Sequence, residues 1–257
     1  MTSVDPRAVV DPGASLADGV EVGPFAIIGP GVSIGKGTRV ESAALIAKDT
    51  TVGEGCRVCH GAILGTDPQD LKYRGEPTYL RIGNGTTVRE YATVNRATGA
   101  GNVTAVGDGA LIMAYAHVAH NCHIGNSVVI ANAANLAGHV SIGDHAIIGG
   151  MTPVHQFVRI GAYSFVGGLT RVSKDVPPYF KVAGVPMRPI SVNTVGLIRH
   201  GFPAETRSLI RRVFRLLYLS GLNTSQAVQR INEELPATPE IMTILSFIRE
   251  SSRGIVK

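Results

Sequence analysis

The chain has 257 residues, a formal net charge of +5, 44% hydrophobic residues, 5% aromatics and no tryptophan. That length suits one large domain or two smaller ones, and the composition implies a core of aliphatics and tight turns. No segment approaches the roughly 18 apolar residues of a membrane helix. The N-terminus MTSVDPRAVV lacks a basic stretch followed by an apolar one, and three cysteines do not make a disulfide framework. A cytoplasmic protein is expected, and the modest positive charge permits acidic or phosphorylated partners without requiring them.

A six-residue period organises the first two thirds of the chain. It runs Val10, Leu16, Val22, Ile28, Ile34, Val40, Ile46, Val52, Val58, Leu64, then Ile82, Val88, Val94, then Val106 through Val166, and all 24 steps fall on Val, Leu or Ile. The residue four places later is small or Val, as at Ala14, Val20, Ala26, Thr38, Cys56, Ala110, Cys122 and Ser164. Glycine follows the aliphatic in 12 of the 24 hexads and is expected to supply the φ > 0 conformation of a turn. Six fits neither the 3.6 residues of a helix nor the alternation of an amphipathic strand. It fits a short strand plus a turn. Three such sides close a triangular coil of about 18 residues, stacked on the next at about 4.8 Å. The first 186 residues are therefore read as a parallel β-helix, with extruded loops at about 66–80 and 96–104.

After about residue 187 the hexads stop, and 187–257 is read as a small α-helical domain. PAETRSLIRRVFRLLYLSG (203–221) sets Leu209, Val213, Leu216 and Leu217 on one stripe and Arg207, Arg211 and Arg215 on another, ending at Gly221. Arg212 adds to this basic helix, which is either a solvated face or a surface for an acidic partner. Thr224 is the expected N-cap of the next helix, and Thr238 before Pro239 and Glu240 that of the last.

The coil also locates the histidines. His117 and His123 sit one hexad apart, on different sides of the triangle, so they cannot easily converge with His120 on one metal. Counted by full circuits, His120 leads to Gly138 beside His139, and Gly138 to Gln156 beside His155. His120, His139 and His155 are expected along one edge, with His117 in a neighbouring column on the same side; His123 and His145 fall outside. A lone surface histidine is ordinarily solvated, whereas an imidazole column beside a glycine offers more. Neutral imidazole is a general base near pH 7, and an unobstructed glycine N–H can meet an oxyanion. That pair serves acyl transfer to a hydroxyl and needs neither metal nor cofactor. Cys56 and Cys59 form CRVC, but the repeat already accounts for Cys56, and no second pair exists to complete a zinc site.

The hexads resemble those of left-handed β-helix acyltransferases. QDLKYRGEPT (69–78), AHVAHNC (116–122), LAGHVSIGD (136–144), IIGGMTPVHQF (147–157), VGG (166–168), DVPPY (175–179) and VNTVGLIRHGF (192–202) are more specific. Together they resemble the UDP-N-acetylglucosamine O-acyltransferases that begin lipid A synthesis. The resemblance implies a left-handed coil, a homotrimer with sites between neighbouring coils, and transfer of an R-3-hydroxyacyl group from acyl carrier protein to the glucosamine 3-hydroxyl. It implies His120 as base and Gly138 as oxyanion donor. Asp70 and Lys72 match residues holding sugar and acyl substrate; His117, His139, His155 and Gln156 match the cleft lining. Asn193 and Arg199 match nucleotide and phosphate contacts, and Gly168 the position that limits the acyl groove. Asn121, Val195 and His200 depart from the commoner Asp, acidic residue and Arg. Three alternatives remain: the N-acyltransferase of the same pathway, which carries an extra N-terminal domain; a β-helix carbonic anhydrase with histidines shared between subunits; and a non-catalytic scaffold.

Overall fold

The computed structural model describes residues 1–257. Its first part is a left-handed parallel β-helix of three sheets, with 11, 8 and 8 strands. Most strands are two residues long, because each side of the triangle uses four of its six residues in turning. The first sheet runs through Val22, Val40 and Val58, the second through Ile28, Ile46 and Leu64, and the third through Ile34, Val52 and Ile82. Every hexad aliphatic from Val22 to Val166 is buried, as are the small residues Ala26, Ala44, Cys56, Ala110 and Ser164. One large and one small side chain per side fill the interior.

The turn chemistry differs from the sequence reading. Positive φ belongs to the third residue after the aliphatic, held by glycine at Gly19, Gly31 and Gly37 but by Phe25, Ala43, Tyr115, Asn121 and His139 elsewhere. The glycine directly after the aliphatic answers a different constraint, the close approach of successive coils. A Cβ at Gly35 would lie 2.6 Å from the carbonyl carbon of Gly53, and one at Gly143 2.6 Å from the Ala162 nitrogen.

Both insertions leave from the edge between the second and third sheets. Leu64 of the second sheet is followed in the third by Ile82, and Val94 by Val106. Register across them changes from 18 residues to 30 at Val58–Val88 and to 24 at Val94–Val118. Buried Arg96 anchors the first loop: it donates to the Gly65 carbonyl (2.9 Å) and the Tyr73 hydroxyl (2.9 Å) and pairs with Asp67.

Beyond the last hexads, strand Phe180–Ala183 adds in parallel to the first sheet and turns back as Arg188–Val192. Four helices follow: α1 (Thr194–Arg199), α2 (Ala204–Tyr218), α3 (Thr224–Glu234) and α4 (Pro239–Arg249). Ile210, Val213, Phe214 and Leu217 form the buried stripe of α2. The C-cap of α2 is Leu219, and Gly221 lies beyond it with φ of 73°. Asn223 caps α3 through a reciprocal box with Gln226, so Thr224 is already helical. Thr238 caps α4 as expected. The C-terminus returns to the coil, where Val256 donates to the Asp175 carbonyl (2.9 Å) and joins the coil's core. The buried Asp175 carboxylate accepts from the Arg159 N–H (2.9 Å) and the Ser251 hydroxyl (2.6 Å).

The two glycine roles separate by mutation. Gly35→Ala forces backbone apart between coils and should cost about 1–3 kcal/mol or more. Gly37→Ala meets open space, at a corner position where Ala43 and Ala133 already stand, and should cost about 1 kcal/mol. Thermal unfolding of the two variants checks the order.

Candidate active site

Each edge of the prism carries one corner column with its own chemistry. Between first and second sheets stand Phe25, Tyr91, Tyr115, Met151 and Leu169, all exposed. Between third and first, glycines give way to Ser127, His145, Tyr163 and Tyr179. Between second and third, above the two loops, stand Asn121, His139 and Phe157. The catalytic candidates gather on that last edge.

His120 occupies the corner after strand His117–Val118, and its carbonyl accepts the N–H of His139 one circuit on (3.0 Å). The two rings meet edge to face at 5.2 Å. His120 Nδ1 lies 2.9 Å from the Asn121 amide oxygen. An amide oxygen only accepts, so Nδ1 carries the proton and Nε2 keeps its lone pair. A Cβ built on Gly138 would stand 2.6 Å from His120 Cε1 and Nε2. The missing side chain is what lets the His120 ring approach this backbone. Gly138 is buried, and its N–H makes no hydrogen bond within the chain.

His117 projects from the second sheet, with Nδ1 2.7 Å from the Thr93 hydroxyl. Burial, then the neighbouring His120, lowers its pKa below the ordinary 6.5. His139 is lowered too, first by burial and then by His120, against an opposing pull from the Asp70 carboxylate that sets Asp70 close to this edge. Asp70 closes a local turn on the Lys72 N–H (3.0 Å), and the Lys72 side chain is exposed. Phe157, rather than His155, completes the ring column, stacking on His139 at 4.7 Å. His155 stands two positions earlier in its turn and directs Nδ1 to the carbonyl of exposed Gln156 (3.1 Å). His123, read from the sequence as bland, lines an open recess of about 520 Å³ with Gly101, Asn102, Val103, Asn121 and His139.

The remaining candidates sit on other edges. Asn193 is buried; its Oδ1 caps α1 at the Gly196 N–H (3.2 Å) and its Nδ2 donates to the Tyr163 carbonyl (2.9 Å). Arg199, in the last turn of the same helix, is exposed and pairs with no carboxylate in the chain. His200 packs on His145, ring centroids 4.5 Å apart, and its pKa is lowered by burial and then by His145. Val195 is exposed. Gly168 lies on the aromatic edge, where a Cβ would come 3.3 Å from the Gly150 carbonyl oxygen. A single chain thus joins His120 and Gly168 along its second sheet, while Arg199 stands across the third.

A coil of hexads with an imidazole set against bare backbone on one edge is the architecture of a hexapeptide-repeat acyltransferase. Residues 104–138 match the bacterial transferase hexapeptide model, and residues 175–256 match domain 2 of UDP-N-acetylglucosamine O-acyltransferase. An acyl-[acyl-carrier-protein]–UDP-N-acetylglucosamine O-acyltransferase of Chlorobium phaeobacteroides is 60% identical over 99% of this chain and 97% of its own. The enzyme so named in Alkalilimnicola ehrlichii is 46% identical over 100% of both. The solved UDP-N-acetylglucosamine acyltransferase of Bacteroides fragilis superposes with a TM-score of 0.97 at 40% identity, covering 99% of this chain and 100% of that one. That of Acinetobacter baumannii gives 0.95 at 38%, covering 99% of each. The chain belongs to the acyl-[acyl-carrier-protein]–UDP-N-acetylglucosamine O-acyltransferase family.

Gly138→Ala should keep the fold and lower kcat at least 100-fold, because the new methyl displaces the His120 ring. Steady-state kinetics with circular dichroism checks both halves. Acid should act through the depressed imidazoles of His117, His139 and His200. A folded pKa below the unfolded one contributes stability that is complete above about 6.5 and lost as pH falls through the folded value. The thermal midpoint should therefore drop below about pH 6, and less steeply in His117→Gln, as scanning calorimetry across pH would read.

Proposed function

We propose that the chain transfers an R-3-hydroxyacyl group from acyl carrier protein to the glucosamine 3-hydroxyl of UDP-N-acetylglucosamine, the first step of lipid A biosynthesis, in the cytoplasm. The observation that carries the reading is His120 Nε2 lying against Gly138, whose N–H has no other partner. Nε2 removes the hydroxyl proton as the oxygen attacks the thioester carbonyl. The Gly138 N–H faces the charge that builds on the carbonyl oxygen. As the C–S bond breaks, the proton passes from imidazolium to the departing thiolate. Lowered pKa values at His117 and His139 keep neighbouring imidazoles neutral, so the site does not repel the cation forming on His120.

Asp70 and Lys72 on the first loop, with His117, His139, His155 and Gln156, fit the lining for sugar and acyl donor. Arg199 fits the nucleotide diphosphate, since its guanidinium has no carboxylate of its own and matches two phosphate oxygens. Asn193 sets the helix that carries it. Gly168 leaves the far end of the second sheet open to a long acyl chain. On α2, Arg211, Arg212 and Arg215 are exposed without carboxylate partners, which suits an acidic carrier protein, whereas Arg207 is engaged with the Phe202 carbonyl.

The reading includes a homotrimer, whose cleft brings the base of one coil to the Arg199 edge of its neighbour. The exposed ridge of Phe25, Tyr91, Tyr115, Met151 and Leu169 supports an interface on that side. No helix is long and apolar enough to cross a membrane.

Incubation with acyl carrier protein thioesters and UDP-sugars bearing a 3-hydroxyl or a 3-amine, read by mass spectrometry, should give the 3-O-acyl product. Exclusive amine acylation would overturn the acceptor. His120→Ala should lower turnover about 100- to 10,000-fold, and Arg199→Ala should raise KM for the UDP-sugar. Co-refolding those two variants in equal amounts, assayed at UDP-sugar far below the KM of Arg199→Ala, should regain about a quarter of wild-type activity, because an intact base meets an intact arginine across some interfaces. No recovery would mean that each chain works alone.

A further inference from the structure

The two insertions do more than border the site. Glu76 of the first loop reaches the second: Oε1 accepts the Gly99 N–H (2.8 Å) and the Thr98 hydroxyl (3.3 Å), and Oε2 accepts the Arg74 N–H (2.8 Å). These donors, chiefly the backbone N–H groups of Arg74 and Gly99, hold its carboxyl down to about 2, so it is ionised wherever an imidazole base works. Thr98, fixed in this way, grips Asn121 at both ends. Its N–H donates to Oδ1 (3.0 Å), and its carbonyl accepts from Nδ2 (3.1 Å). Turning the amide over would set donor against donor and acceptor against acceptor. The orientation is therefore single, and it aims Oδ1 at His120 Nδ1 (2.9 Å).

We propose that Glu76 and the Thr98 backbone are positioning elements for the base, acting through Asn121 to hold His120 in the Nδ1–H tautomer with Nε2 toward Gly138. The inference rests on His120 as the base and adds what selects its reactive form. Free imidazole favours the opposite tautomer, protonated at Nε2, so selection requires an acceptor held against Nδ1. The Thr98 carbonyl also gives a reason for asparagine at 121. An aspartate has no proton to give that carbonyl and would face it with a bare oxygen.

The test joins 15N NMR of the histidine rings to kinetics. In the wild type His120 should appear as the Nδ1–H tautomer. In Glu76→Ala and in Asn121→Ala it should shift toward Nε2–H, with kcat down about tenfold or more and a smaller change in KM. Glu76→Gln keeps an oxygen for the Gly99 N–H and should restore most of the tautomer and most of kcat, which separates positioning from loss of fold. The proposal is overturned if Glu76→Ala leaves the tautomer unchanged, whether kcat is retained or KM alone rises, or if Glu76→Gln behaves as Glu76→Ala does. Failure of the underlying reading looks different: His120→Ala would then keep its turnover. An inactive His120→Ala beside an unaffected Glu76→Ala would remove only the positioning role.

Discussion

The stacking of coils at a fixed circuit controls everything else in this molecule. Parallel hydrogen bonds tie each two-residue strand to its equivalent one circuit away, as Val118 to Leu136 and Leu136 to Val154. The triangle they enclose holds one aliphatic and one small side chain per side, and an aromatic ring has no place in it. Rings are consequently expelled to the corners, where the same stacking lines them up. His139 on Phe157 and His145 on Tyr163 are two results of that expulsion. A repeat selected for packing thus produces columns of outward groups with ångström-level spacing, which is what acid–base chemistry needs from a scaffold.

Chemistry concentrates on one edge because that edge also carries both loops. A bare corner is convex and wet. The insertions raise walls beside it, and their polar groups find partners in one another: Arg96 with Asp67 and Tyr73, Glu76 with Gly99, Thr98 with Asn121. The burial that lowers the pKa values of His117 and His139 follows from this local crowding. The loop contacts hold the His120 edge, whereas exposed Lys72 and Arg199 have no carboxylate partners.

The coil was legible because its constraint is periodic in one dimension. Fixing Ile112 and the circuit places Ile130, Ile148 and Val166 one above the other. Stepping from His120 to Gly138 found an imidazole and the backbone it packs against, yet the same step from His139 reaches Phe157, the ring that finishes the column. Starting only from one histidine hid it. The turn glycines misled for a physical reason. Gly35 stands out in the sequence because a neighbouring coil crowds it, whereas the position that bends the chain accepts Phe25, Asn121 or His139. Thr98 and Glu76 had no signal at all. Their contacts join two aperiodic loops, and nothing in the spacing says which loop residue meets which.

A solenoid edge by itself cannot exclude water from a thioester, and this geometry makes the deficit specific. His120 and Gly168 flank the second sheet of one chain, but α1, with Arg199, is fastened to the opposite edge through Asn193 and Tyr163. No bending of so regular a coil brings those edges together. On the proposed reading, a diphosphate held by Arg199 would reach His120 only if another copy supplied one of the two. On the proposed trimer the ridge of Phe25, Tyr115 and Leu169 then has a use, since apolar area buried between coils is what would hold base and arginine at fixed separation. On that proposal oligomerisation would be part of the active-site geometry, with symmetry in place of the flexibility a single chain lacks.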